Sequence, residues 1–301
     1  MKKSFTLLKR REQKVMNKVK IITDACASLS IEELKKLDVD YVQMSIVIGD
    51  EVYDSFDYPE KNPTEFYKML ERTKKCSTSC VNPQTFQDIF EKYLKEGYDV
   101  FYVGLSGGLS CTYHNALGVA EELNKTYGER VFVADSLTGS YGVALLVEHA
   151  VKLRDKGKSA KEIFEAIDKN ALKVFSVFMP GDLQFLMRCG RINAIVASVG
   201  TVLKLVPVIT PDERGKLKTI NKCLGQKKAM KTIQAYVEEH DKLELEETIY
   251  IGHTGQEEMA NELAEFIKQK YPNKTVKVGF IDYTMGCCCG PNTLAVFGIN
   301  K

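Results

Sequence analysis

Residues 98–118 read Tyr98-Asp-Val-Phe-Tyr-Val-Gly-Leu-Ser-Gly-Gly-Leu-Ser-Cys-Thr-Tyr-His-Asn-Ala-Leu-Gly118. The run from Val100 to Val103 is short, apolar and rich in β-branched and aromatic side chains, the pattern of a parallel strand covered on both faces. Leu105-Ser-Gly-Gly-Leu-Ser110 follows as a small-residue turn, after which Tyr113, Ala116, Leu117, Ala120 and Leu123 share one helix face. A strand, a turn of hydroxyls and glycines, and a helix start together offer an anion free backbone N–H groups and a favourable dipole. The turn has neither the Gly-Lys-Ser/Thr of a nucleotide phosphate loop nor G-x-G-x-x-G. Its natural guest is a small acid group, a carboxylate or a phosphate, although an ordinary well-capped βα turn fits the same residues.

Upstream, residues 19–23 predict a buried strand ending in Asp24, at the strand end where open α/β sheets bind ligands. Residues 31–37 predict a helix, 41–48 a second strand, and 63–72 a helix with Pro63 at its start. Residues 76–83, Cys-Ser-Thr-Ser-Cys-Val-Asn-Pro, are small and polar and lead into a helix over 83–94. Their hydroxyls suit either an acid group or a helix cap. Downstream, 131–134 predict a strand ending in Asp135-Ser136, followed by helices over 142–156 and 159–170. This β-α alternation implies a mainly parallel sheet with helices on both sides.

The pattern changes near Leu172. Strands are expected over 174–179, 206–210, 248–252, 276–281 and 294–299, with a hairpin turn at 211–215. Helices are expected over 194–205, 226–239 and 257–270. The resulting layout is an α/β protein: residues 18–172 as an N-terminal parallel-sheet domain and 173–301 as an α+β domain with a mixed or antiparallel sheet, preceded by a basic, disordered tail over 1–17.

With 301 residues, 44% hydrophobic and 27% charged, the chain is a globular protein long enough for two domains, and no apolar run reaches membrane-spanning length. Residues 1–15 carry six basic residues and one acidic, leaving 36 basic against 39 acidic in the rest. A slightly acidic body argues against nucleic acid as a main partner. Transient contact with anionic lipid through the basic stretch is the one membrane role left open. Met16-Asn-Lys-Val-Lys-Ile-Ile-Thr-Asp24 has the form of a protein start, so residues 1–15 are expected to be a translation-start artefact. The nine cysteines follow no scaffold rhythm and are expected as reduced thiols of a cytoplasmic protein. Cys76 and Cys80 lack a second ligand pair. The adjacent Cys287, Cys288 and Cys289 diverge too much to ligate one ion, and no metal or cofactor is expected.

Several stretches together resemble the DegV family of bacterial fatty-acid-binding proteins, in family order from about Val19 to the C-terminus. Ile22-Thr23-Asp24 resembles "TDS". Thr78-Ser79 with Pro83 resembles "TSQPSP", with Cys80 in place of glutamine. Leu105 to Tyr113 resembles "LSSGLSGTY", Asp135-Ser136 fits the next strand end, and residues 183–192 resemble "LEYLRRGGRI", keeping Arg188, Gly190 and Arg191. Residues 286–291 resemble "GAHTGPG", with Cys288 in place of histidine.

The resemblance implies a non-enzymatic carrier that buries a long-chain fatty acid between two domains and presents its carboxylate to a partner fatty-acid kinase. It places the carboxylate at Thr78, Ser79, Ser106 and Gly107, where Gly107 replaces a second serine and offers only its N–H. Asp24, Arg191, Cys288 and His253 are the supporting residues. Two rival readings remain: an enzyme using Asp24, Asp135 and His253 as acid–base groups beside a Ser106 anion hole, and a thiol or metal sensor using Cys287 to Cys289.

Overall fold

The computed structural model describes residues 18–56, 62–73, 76–191, 205–240 and 248–300. The basic N-terminal stretch and most of the helix expected over 194–205 lie outside them. β1 (Val19–Asp24), β2 (Val39–Val42), β6 (Asp99–Gly104) and β7 (Val131–Asp135) form a wholly parallel sheet in the order β2-β1-β6-β7. Alternation along the strands supplies two cores. Val19, Ile21, Phe101 and Val103 face α5 (Tyr141–Asp155) and α6 (Ala160–Ala171), whereas Ile22, Val100 and Tyr102 face α3 (Pro83–Lys95) and α4 (Thr112–Tyr127). The architecture is α/β with helices on both sheet faces, because a parallel strand must be covered twice.

Two sequence expectations change here. Residues 41–48 do not form one strand: the chain leaves the parallel sheet after Val42, and β3 (Ser45–Ile48) joins β4 (Glu51–Asp54) and β5 (Cys76–Ser79) in a separate antiparallel sheet of order β4-β3-β5. The polar stretch at 76–79 is therefore a strand. Its hydroxyls hide it from a hydropathy reading, but its main chain pairs with β3, with Thr78 opposite Ile46 and Ser79 opposite Ser45. The remaining helices of this half are α1 (Ile31–Lys36), closed by a Ser30–Glu33 capping box, and α2 (Pro63–Thr73).

After α6 the sheet changes. β8 (Val174–Met179), β9 (Leu205–Pro211), β10 (Leu217–Leu224), β11 (Thr248–His253), β12 (Thr275–Phe280) and β13 (Leu294–Ile299) form a mixed sheet in the order β10-β9-β8-β13-β11-β12. Only β11–β12 is parallel. α8 (Gln226–His240) and α9 (Glu257–Lys270) cover one face through Met230, Ile233, Leu263 and Ile267. The other face meets α5, which is buried on nearly every side and packs on β1 and β6 as well as on β8, β11 and β13. Tyr141 shows the junction: its ring stacks on Tyr250 at 4.7 Å and its hydroxyl donates to the Phe280 carbonyl at 2.8 Å. One apolar cluster thus runs from Ile21 through α5 to Phe297.

Candidate functional site

The order β2-β1-β6-β7 reverses direction between β1 and β6, and the crevice beyond the carboxyl ends of those two strands is where such sheets hold ligands. A cavity of about 340 Å³ opens on this side, within the range of roughly 300–1,000 Å³ for small-molecule sites. It is walled by Thr78, Ser79 and Cys80 from β5 and its end, and by Leu105, Leu109, Ser110 and Cys111 from the turn after β6. Thr284, Met285, Cys288 and Cys289 contribute from α10 (Tyr283–Cys289), and Met44, Phe178, Leu186 of α7 (Leu183–Arg188), Arg191 and Leu217 complete the wall. Leu109, Phe178, Leu217, Met285 and Cys289 also border a smaller apolar space of about 50 Å³, walled further by Ile281, Ala295 and Phe297. Leu137 and Ser140, on the loop beside this smaller space, hold φ of 56° and 54°, backbone that ordinary side chains seldom adopt.

Thr78, Ser79, Arg191 and Cys288 come together in the wall. The alternation of β5 turns Thr78 inward and leaves Ser79 exposed. The Thr78 hydroxyl meets the Cys288 thiol. A hydrogen bond with Cys189, then burial, push that thiol well above its ordinary range, against the opposing pull of Arg191 and Thr78. Cys288 is therefore held neutral and supplies no cation. Arg191 is the only charged side chain among the described lining residues. Its Nε donates to the Leu109 carbonyl at 2.9 Å and its guanidinium also bonds the Cys189 carbonyl, so the cation is fastened at the rim.

The other four expected residues lie outside the lining. The Ser106 hydroxyl accepts from Gly108 N–H at 3.0 Å and reaches the Gly215 carbonyl at 3.5 Å, in the turn between β9 and β10. The Gly107 N–H, expected to meet an anion, instead donates to both oxygens of Asp135 at 3.2 Å. A Cβ at Gly107 would stand 2.7 Å from the Tyr113 ring and 2.9 Å from the Asp135 carboxylate, so a serine there needs the wall to shift. Asp24 is fully buried and takes hydrogen bonds from the Tyr102 hydroxyl (2.8 Å), Leu105 N–H (2.9 Å) and Cys26 N–H (2.9 Å). Burial raises its pKa against those bonds, and its role is to fix the turn to the two strand ends. His253 ends β11, its ring 4.4 Å from that of Phe280; burial lowers its pKa, which favours the neutral imidazole. The acid–base groups of the enzyme reading, Asp24, Asp135 and His253, are thus none of them among the lining residues.

Three features escape the sequence. Ser110 lines the cavity while its hydroxyl pairs with that of Thr112 at 2.9 Å. Its place in the turn was visible, but its direction was not. Thr284 is 2% exposed, and its hydroxyl finds no protein partner among the described residues although it forms part of the wall. It lies one helical turn before Cys288, which puts the two side chains on one face of α10. Cys80 and Cys111 are joined in a disulfide, contrary to the expectation of nine reduced thiols, while Cys26, Cys76, Cys189, Cys223 and Cys287 to Cys289 are free. The partners are 31 residues apart, a spacing with no motif, and only the docking of β5 beside α4 brings them together. Among the described residues no group of three or more His, Cys, Asp or Glu side chains is arranged to hold a metal ion, and no helix is long and apolar enough to cross a membrane.

α10, which carries Thr284 and Cys288, is fixed by Asp282. One carboxylate oxygen caps Met285 N–H at 2.8 Å and the other accepts from the Ser28 hydroxyl at 2.6 Å. Burial lifts its pKa to about 7 against these two bonds. An unfolded aspartate ionises near 4, so as pH rises from about 4 to 7 the unfolded chain releases a proton that the folded chain keeps, and stability falls. Asp282→Asn keeps an acceptor for the cap, turns an amide N–H towards the Ser28 hydroxyl, which then accepts, and removes that loss. The gap in urea midpoint, variant minus parent, should widen between pH 5 and pH 8 by the equivalent of about 2 kcal/mol; parallel profiles would refute the assignment.

Residues 18–301 match the family model described as "Uncharacterised protein, DegV family". The chain belongs to the DegV family. A DegV domain-containing protein of Clostridium perfringens is 34% identical over 284 residues, covering 94% of this chain and 97% of its own. Another from Lactococcus lactis is 31% identical, covering 93% and 97%. Among solved structures, a DegV family protein from Thermus thermophilus, described by its fatty-acid binding, superposes with a TM-score of 0.82 at 25% identity, over 94% of this chain and all of that one. The fatty acid kinase (Fak) B3 protein of Streptococcus pneumoniae, loaded with linoleic acid, shares the DegV fold at a TM-score of 0.79 and 20% identity, over 94% and 99%.

Proposed function

We propose that this DegV protein is a fatty-acid carrier: it holds one long-chain acid in the cavity and presents the carboxylate to a separate fatty-acid kinase, with no turnover of its own. The observation that carries the reading is a cavity of graded polarity. Hydroxyls and one arginine stand in its larger space, and nearly all of the smaller one is apolar. Burying some fourteen methylenes at about 0.8 kcal/mol each is worth on the order of 11 kcal/mol before association costs. A charge-assisted hydrogen bond adds only about 1.5–3 kcal/mol. The chain therefore governs affinity, and Thr78, Ser79 and Arg191 govern which end faces out. A carboxylate left without donors would take up a proton instead. A separate kinase partner is supported by the likeness to the pneumococcal protein, and the sequence has no phosphate loop for a nucleotide of its own.

Native mass spectrometry of the purified protein, followed by solvent extraction, tests the reading. One fatty acid near one-to-one stoichiometry is expected, and a ligand-free mass unchanged by incubation with palmitate would refute it. Thr284 gives a second test. A buried hydroxyl without a partner costs about 1–3 kcal/mol, so Thr284→Val should raise the Tm of ligand-free protein. If the bound acid satisfies that hydroxyl, the same variant should weaken palmitate binding roughly tenfold. Calorimetry checks both signs, and unchanged affinity would remove Thr284 from the ligand contacts.

A further inference from the structure

Cys80 follows Thr78 and Ser79 directly, and Cys111 is the residue at which α4 begins, where it makes no side-chain cap. Their disulfide ties the polar end of β5 to the start of that helix, and both residues line the cavity. Cys111 is exposed and Cys80 half-buried, so a reductant in solution reaches the bond. Without it, the crossing rests on polar contacts around Val81: its N–H donates to the Thr112 hydroxyl at 3.3 Å and its carbonyl accepts from Asn115 Nδ2 at 2.8 Å. Cys80 and Cys111 stand where the family motifs have glutamine and glycine, so two separate departures form one bond.

Seven cysteines remain thiols, among them Cys288 in the same cavity wall. A chain so rich in free thiols suits a reducing compartment, where an accessible disulfide is transient and usually redox-active rather than a permanent brace. We propose that Cys80–Cys111 is a redox-active modification site that acts as a clasp on the cavity, closed when oxidised and opened by a dithiol. The inference about ligand release rests on the carrier reading above.

The reaction is thiol–disulfide exchange. A thiolate of the dithiol attacks the exposed Cys111 sulfur, the S–S bond breaks, and Cys80 leaves as a thiolate that takes up a proton. The second thiolate of the reductant then attacks its own sulfur in the mixed disulfide and expels Cys111. Two electrons and two protons pass to the cysteine pair, and the dithiol departs as a cyclic disulfide.

The test uses the full chain in its oxidised form, after dithiothreitol reduction, and as the Cys80→Ser/Cys111→Ser double variant. Alkylation and peptide mapping report which cysteines changed state. Amide hydrogen exchange over residues 78–82 and 109–112 of the ligand-free protein reports the clasp, and transfer of bound palmitate to phosphatidylcholine vesicles reports release. Reduction should raise exchange at those amides and the palmitate off-rate each by about tenfold. The double variant should match the reduced protein with or without reductant, and comparison with reduced parent protein covers a variant that folds poorly. Amide exchange and release that stay within twofold on reduction would overturn the clasp. Amide exchange that responds in a protein binding no palmitate would uphold the clasp and refute the fatty-acid reading instead.

Discussion

Leu109→Trp should lower the affinity for a sixteen-carbon fatty acid by at least a hundredfold while leaving the fold intact. Leu109 borders both the polar-ended cavity and the smaller apolar space beside it, so an acyl chain that uses both must pass it. It belongs to the surface turn after β6 rather than to a strand or helix, so a larger side chain can be accommodated without repacking a sheet. An indole at that position would exclude the far half of an acyl chain. Withdrawing even four methylenes from burial forfeits about 3 kcal/mol, which is more than a hundredfold in Kd. Octanoate, which needs less depth, should lose much less. Titration with both acids, with circular dichroism to check folding, decides the matter; equal losses for the two lengths would show that the chain does not pass Leu109.

Gly104→Ala should destabilise the protein by on the order of 3 kcal/mol, a sum of overpacking and a disturbed buried carboxylate. Gly104 ends β6 beside Asp24, and a Cβ there would collide with the Asp24 carboxylate and the Tyr102 hydroxyl, the two groups that bond to each other. Those atoms belong to the fully buried cluster that fastens the β6 turn, so they have nowhere to withdraw. Gly118→Ala is the contrasting change. It lies inside α4 with open space around its Cβ, and removing a helical glycine should add up to about 1 kcal/mol. Urea unfolding of both variants gives the signs, and a Gly104→Ala loss below about 1 kcal/mol would show that the corner yields.

The parts of this fold legible in the sequence are those in which one strand or helix carries its own signal. Val100 to Val103 reads as a doubly covered strand because both faces are apolar, and the turn and helix after it follow from composition. β5 does not, because Cys76 to Ser79 owe their strand geometry to hydrogen bonds with β3, a partner chosen by tertiary structure. The cavity shows the same division. Thr78, Ser79, Arg191 and Cys288 could be placed by family resemblance, and they converge. Gly107 looked like an available donor because a sequence shows that an N–H exists but not that Asp135 already occupies it. Asp24 and His253 sit at strand ends as expected, but a strand end faces the crevice only when its neighbours leave it uncovered. Thr284 and the Cys80–Cys111 bond depend on distances between segments far apart in the chain, which no local pattern encodes.

The place of β13 in the C-terminal sheet bears on how the molecule is made. It is the latest of the described strands to leave the ribosome, yet it alone bridges β8 and β11 and thereby joins the two parts of the six-stranded sheet. Until residues 294–299 emerge, β8 and β11 both present open edges, and α5, already synthesised, has one apolar side uncovered. From the completion of β7 at Asp135 until β13 emerges, the N-terminal parallel sheet and its own helices can form while the side of α5 that meets the C-terminal sheet stays uncovered. Chaperone binding should concentrate on that interval.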